Sequence, residues 1–498
     1  MLLKKYYTVL LILLALLISE IIASVHVYIS NVSLYEKLAE ILNAGYLILP
    51  NEFVMESLKT IKSAFFGGIF FTLTIGSFLS IISVGLVWIW KKLFFGSRLF
   101  LLFVLIFFSL FIIVINLNGI CFVETLYFII VPLTVFLVCG KLMLENKGNI
   151  QIKKIISLHL LPIGLLSIFW SINFKAELFV NIRDNFLLLN PIGMSINDFY
   201  YKYNLYAAES FKSDRQKILK TLYLKDIDTS IKLSIESKLL MFDYIPIRSD
   251  INADMVIFQK EKKLILKRKE KEIIKTNIEQ LISNTSNILT EFSDKTDKYI
   301  FFRAITFYSL ILGFPILLYT IIFNIFSIIF TVFSSKYKDI LAALICFIVG
   351  ILFLMPIYFI NKKDITLENY KTFLSSNQWQ DRVESLKFMI NKGIDIKKTE
   401  DYQKLMNTDI IPEKYWLIKS LENSSNTYAD AAKFLNSKQI NILCMAYNVM
   451  GKTKNKNAIP LIIERIKNSK NWYEQWYAYK SLRKIGWSQT KSKAIVSQ

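Results

Sequence analysis

Long apolar runs separated by short basic loops fill the first third of the chain, and two more follow after a polar interval. They lie at about 6–29, 65–90, 98–118, 120–144, 155–172, 300–333 and 338–360. Each is near or above the roughly 18–20 residues with which a helix crosses hydrocarbon. Seven spans are therefore expected, five in a membrane domain over 1–172 and two over 300–360. The first run has the basic start and apolar core of a signal peptide. It lacks a clean A-x-A cleavage site, and its apolar part is long for such a core, so it reads as an uncleaved anchor.

Within 173–299 the periodicity changes, and an extramembrane α/β domain is expected. Residues 196–220 suit a helix. The segments 238–247 (KLLMFDYIPI), 253–259 and 263–269 alternate like strands, the last two around a charged turn. From Glu270 to about Leu289 the pattern reads as helical again.

The tail, 361–498, carries helical pairs. In the stretch NAIPLIIERIKNSKNWYEQWYAYKSLRKIGW (457–487), Ile459, Ile462, Ile463 and Ile466 share one face, and the polar NSKN ends the first helix. Asn471, with Glu474 three residues on, suits a capping box, and Gly486 suits a left-handed helix end. Trp472, Gln475, Ala478, Tyr479, Leu482 and Ile485 fall on one side of the second helix. The segment at Ala446–Met450 repeats that at Ala478–Leu482 with an offset of 32 residues, a period typical of stacked helix pairs. On the pattern carried by Ala478, Leu482 and Gly486, the last 120 or so residues resemble HEAT repeats of the short bacterial, phycobilin-lyase-related kind. That resemblance implies an α-solenoid that offers a binding surface and performs no reaction. The complete expectation is a multi-pass helical membrane protein with an inserted α/β domain and a C-terminal α-solenoid.

Composition agrees: 54% of the 498 residues are hydrophobic, beyond the usual share for a soluble protein. The formal net charge of +21 would suggest nucleic acid in a soluble chain. Beside hydrophobic spans, Lys and Arg more often set topology and touch anionic lipid, so nucleic acid becomes a minor alternative. The short loops carrying Lys4, Lys5, Lys91, Lys92, Arg98, Lys141, Lys147, Lys153, Lys154, Lys336 and Lys338 are assigned to the cytoplasm of a bacterial cell. The 30–64 loop, 173–299 and 361–498 then fall on the outer side of its cytoplasmic membrane.

Chemistry-bearing motifs are few. The four Cys and two His show no zinc or disulfide spacing, and no phosphate-binding loop, nucleophile elbow or metalloprotease motif occurs, so no cofactor or metal is expected. Glu124 and His159 are the candidate intramembrane polar groups, each without an evident charged partner. Asp243, Asp250 and Asp254 read as strand-end polar groups. Tyr200, Tyr201, Tyr203 and Tyr206 form a candidate sugar or peptide platform, with Arg183, Asp184 and Asp198 as a remote catalytic option. On the final helix, Tyr473, Tyr477, Lys480 and Lys484 lie opposite Leu482, so they are expected to face outward as a contact patch for an acidic or phosphate-bearing envelope partner. The functional expectation is a membrane-anchored scaffold or assembly factor that contacts lipid and binds a protein or envelope polymer. The alternative is a membrane-embedded enzyme or transporter for a lipid-linked or small substrate, with Glu36, Glu40, Glu52 and Glu56 as loop carboxylates.

Overall fold

In hydrocarbon a backbone must satisfy its own hydrogen bonds, which is why the apolar runs form helices. The computed structural model describes residues 7–142, 159–261, 263–333, 337–354 and 364–491. Helix α1 (Tyr7–Asn43) has 37 residues, about 55 Å at 1.5 Å per residue. That exceeds the roughly 30 Å thickness of bilayer hydrocarbon, and the last third of α1 is polar. Next come α2 (Ile61–Lys92), α3 (Arg98–Asn116) and α4 (Phe122–Leu142). Gly68 of α2 lies against α1, where a Cβ would stand 3.0 Å from the Ser24 nitrogen and 2.9 Å from a Glu20 carboxylate oxygen. The absent side chain therefore lets the two helices cross closely. The exposed Leu99, Phe103, Leu105 and Ile106 of α3 form an apolar belt suited to lipid.

The chain is mostly helical, with a small mixed sheet. Among the described residues, four helices are long and apolar enough to cross a membrane: Val9–Asn43, Ile61–Lys92, Arg98–Asn116 and Ile300–Thr331. A fifth is reached if Leu161–Ile172 and Glu177–Leu187, bent by 98°, count as one span. This is fewer than the seven expected. The apolar part of α4, Phe122–Val138, is too short to qualify and contains Pro132. The described helix Lys338–Leu354 has only 17 residues. Parts of the expected spans 6–29, 120–144, 155–172 and 338–360 lie outside the described residues.

Helix α5 (Pro191–Glu209) leads into the sheet domain; the Asn190 side chain caps it by accepting from Gly193 N at 2.7 Å. The sheet order is β2-β1-β3-β4-β5, with strands β1 (Lys220–Lys225), β2 (Tyr244–Pro246), β3 (Met255–Lys260), β4 (Lys263–Arg268) and β5 (Lys271–Thr276). β1 runs parallel to β2 and β3, while β3, β4 and β5 form antiparallel hairpins. Three local expectations are corrected. The helix expected at 196–220 ends at Glu209, and the chain re-enters as β1, with Leu222 and Leu224 facing the core. Most of 238–247 is not strand, because the helix Thr229–Leu240 runs into it and only Tyr244–Pro246 pairs. Residues 271–276 are strand where helix was expected: Ile274 and Thr276, two apart, are buried, and the next helix starts only after the Asn277 cap.

Helix α6 (Ile300–Thr331) and helix α7 (Lys338–Leu354) return to the bundle. In the tail, α8 (Trp379–Lys392), α9 (Ile411–Ser420), α10 (Ile440–Thr453), α11 (Ile459–Asn468) and α12 (Trp472–Ile485) share one apolar core with Leu386, Leu417, Tyr447, Ile462 and Leu482. The helices α8, α9, α10 and α12 stack on one another in chain order. Asn471 caps α12 by accepting from Tyr473 N and Glu474 N, and Gly486 closes it at φ 96°. Glu474 accepts from Tyr447 Oη at 3.0 Å and from Ser469 Oγ at 2.6 Å. It is thus a buried acceptor in the core and makes no reciprocal bond to the Asn471 nitrogen.

Candidate functional site

The tail is pinned to the membrane bundle. Asn51, in the loop after α1, donates from Nδ2 to the carbonyls of Ile466, Lys467 and Ser469 at 2.8–2.9 Å, and its own N donates to Gln475 Oε1 at 2.9 Å. On the other side of α12, the aromatic groups of α5 cover the helix. The Tyr473 ring sits 4.8 Å from that of Tyr201, and its hydroxyl accepts from Asn204 Nδ2 at 2.9 Å. Trp472 meets Tyr206 edge-on.

This corrects the expectation that Tyr473 and Tyr477 face outward: Tyr473 is buried and Tyr477 partly so. The two tyrosine groups read as separate platforms meet in one internal interface, where Tyr200 and Tyr201 lie against Tyr473, while Tyr203 packs on Phe66 of α2. Burial pushes the Tyr473 and Tyr201 phenols up, so both stay protonated. Lys480 and Lys484 remain exposed, Lys480 over the Trp476 ring at 3.5 Å and Lys484 donating to Asn448 Oδ1 at 2.7 Å. Asp184 accepts from Trp416 Nε1 at 2.7 Å and pairs with Arg183, whereas Asp198 stands exposed. These three do not converge.

Where the polar end of α1, the α3–α4 turn, the sheet domain and α12 meet, they line an open cavity of about 680 Å³. Eight basic residues line it against four acidic ones. Its wall is a buried charge network. Asp254, at the head of β3, accepts from Lys37 Nζ at 2.6 Å and Lys217 Nζ at 2.9 Å, with Arg268 at 3.5 Å. Asp214 accepts from both nitrogens of Arg268 at 2.9 and 3.1 Å and from Lys217 at 3.1 Å. Three cations thus meet two carboxylates, and Lys37 ties the membrane helix to the sheet. Burial alone would raise the Asp254 carboxyl, but Lys217, Lys37 and Arg268 together hold it well below the usual carboxylate range. Asp254, expected as a plain strand-end group, is the centre of the network.

Two further features complete the cavity. At its membrane end, His26 Nε2 lies 3.3 Å from Glu124 Oε1, both side chains almost wholly buried. Glu124, expected without an evident charged partner, has the His26 imidazole beside it, which is a charge partner only when that ring is protonated. The other ring nitrogen of His26 has no hydrogen-bond partner among the described residues. Lys269, Lys271 and Lys298 also line the cavity, and none makes an ion pair among the described residues. His159 lies apart, edge-on to Phe323. Glu40 accepts from Asn252 at 2.8 Å and Glu56 from Tyr35 at 3.4 Å, so these loop carboxylates do not converge either. Among the described residues no group of His, Cys, Asp and Glu suits a metal ion.

The arrangement is a bundle of long apolar helices carrying a small mixed sheet and a stack of tail helices, with a cationic cavity where they join. Protein-family models, curated proteins and solved structures give no match to this chain, so its functional reading rests on its own geometry.

Proposed function

We propose that the protein is a membrane-anchored scaffold or assembly factor that holds an anionic, phosphate-bearing envelope component in the junction cavity. One observation carries this reading: a cavity with a surplus of cations, three of which make no salt bridge among the described residues. Uncompensated cations beside a desolvated wall favour a phosphate, to which Lys makes charge-assisted hydrogen bonds. In this proposal the N-terminus is cytoplasmic, seven segments cross a bacterial cytoplasmic membrane, and the stacked tail helices are HEAT-like repeats that roof the ligand. The test is calorimetric binding of pyrophosphate to the purified full-length protein. Replacing Lys269, Lys271 and Lys298 with Ala should weaken binding at least tenfold, since each hydrogen bond to a charged group is worth about 1.5–3 kcal/mol. Equal binding by this triple variant and wild type would refute the reading.

The alternative, an enzyme or transporter, is favoured by the buried His26–Glu124 pair at the cavity's membrane end. Turnover or flux in reconstituted vesicles that Glu124→Gln abolishes, with pyrophosphate binding unchanged, would favour it over the scaffold.

A further inference from the structure

We infer that the phosphate held in the junction cavity belongs to a lipid that enters from the bilayer, an inference that rests on the anion-binding reading above. The cavity has two chemically different walls. One is cationic, with Lys269 and Lys271 on the sheet's last turn and Lys298 ahead of α6. The other is apolar and faces away from the protein: Ile29 of α1 is 53% exposed, Ile120 82% and Phe122 71%.

Those three residues stand at the ends of apolar segments, where this inference puts the lipid headgroups. Ile29 ends the apolar run of α1, and Ile120 and Phe122 stand at the turn that joins two apolar helices. A soluble anion gains nothing from an exposed apolar wall, whereas a lipid phosphate needs both, with its head among the lysines and its chains leaving past Ile29 and Phe122. The inner end is closed by His26, buried to 5% exposure and with one ring nitrogen unpartnered. A buried hydrogen-bonding group left without a partner among the described residues is uncommon, and this one belongs to a residue that lines the cavity. A volume of about 680 Å³ accommodates a headgroup of several heavy atoms beyond the phosphate.

The test uses the full-length protein in phosphatidylcholine nanodiscs, with phosphatidic acid and soluble glycerol 3-phosphate as probes. Phosphatidic acid should bind in competition with pyrophosphate and at least tenfold more tightly than glycerol 3-phosphate. Ile120→Ser with Phe122→Ser should remove most of that advantage while glycerol 3-phosphate binding stays within twofold of wild type. Lys269→Ala, Lys271→Ala and Lys298→Ala together should weaken both probes at least tenfold. All five positions are at least partly exposed, and unchanged melting temperatures confirm that the variants fold. If the two probes bind alike and the rim substitutions change nothing, the lipid inference falls and the anion site stands. If excess phosphatidylcholine displaces phosphatidic acid, the lipid inference likewise falls. If neither probe binds, both readings fall together.

Discussion

Asn51→Ala should loosen the tail from the membrane bundle. The Asn51 side chain is 4% exposed. Its Nδ2 faces three backbone carbonyls at the C-terminal end of α11, while its Oδ1 accepts from Val54 N at 3.2 Å as the cap of the helix Glu52–Leu58. An amide carries two N–H groups, so two of the three carbonyls are well satisfied at once. Losing the cap costs about 1 kcal/mol, and two hydrogen bonds at about 1–1.5 kcal/mol each bring the total to about 3–4 kcal/mol. For a chain of 498 residues, 1 kcal/mol shifts melting by less than the about 2–4 °C typical of 150–250 residues, so a fall on the order of 5 °C is expected. The assay is thermal unfolding of the full-length protein in detergent, followed by tryptophan fluorescence. Asn51→Asp separates the two roles. It keeps the cap acceptor but sets a carboxylate against three carbonyl oxygens, so it should melt below Asn51→Ala. A wild-type melting temperature for Asn51→Asp, or a shift under about 2 °C for Asn51→Ala, would mean that the side chain is only a helix cap.

Two further outcomes are expected. Asp254→Asn leaves Lys37, Lys217 and Arg268 facing each other with Asp214 alone, and breaking a buried pair of this kind costs about 3–5 kcal/mol. Because the Asp254 carboxyl is held below its ordinary value, its contribution is full at neutral pH. It is lost as pH falls below the unfolded value towards the folded one, below about pH 4. Melting temperature measured from pH 7 to pH 3 should therefore fall more steeply in wild type than in Asp254→Asn, and parallel curves would contradict the network. Tyr473→Phe, which loses the Asn204 bond, should cost about 1 kcal/mol, and Tyr473→Ala about 3–5 kcal/mol. Chemical denaturation of the full-length variants checks both values, and a neutral Tyr473→Ala would return that residue to the surface.

What could be read from the sequence is what short-range periodicity carries. The α12 wheel placed Trp472, Gln475, Ala478, Tyr479, Leu482 and Ile485 together, and all six are buried. Its cap and its closing glycine were legible for the same reason, since both are fixed within a few residues. The opposite face was misread because a wheel assumes that a helix packs on one side only, whereas α12 is covered by α5 as well. The charge network was out of reach, as Lys37 and Asp254 are 217 residues apart and nothing local marks either as buried. Glu124 was noticed for its cost in an apolar setting, but its partner His26 sits on another helix. β5 was missed because its charged Lys271 and Glu272 hide a two-residue alternation that only pairing with β4 reveals.

The cavity exists only if the end of α1, the sheet domain and the tail meet on one side of the membrane. The direct measurement is single-cysteine labelling in sealed vesicles of known orientation, in a background with the four native cysteines replaced. Ser234→Cys in the sheet domain and Ser425→Cys in the tail, both exposed, should react with an impermeant maleimide from the same side. Phe95→Cys in the α2–α3 turn, 81% exposed, should react only from the other. Labelling of Ser234→Cys and Ser425→Cys from opposite sides would contradict the fold, the cavity and the function built on them.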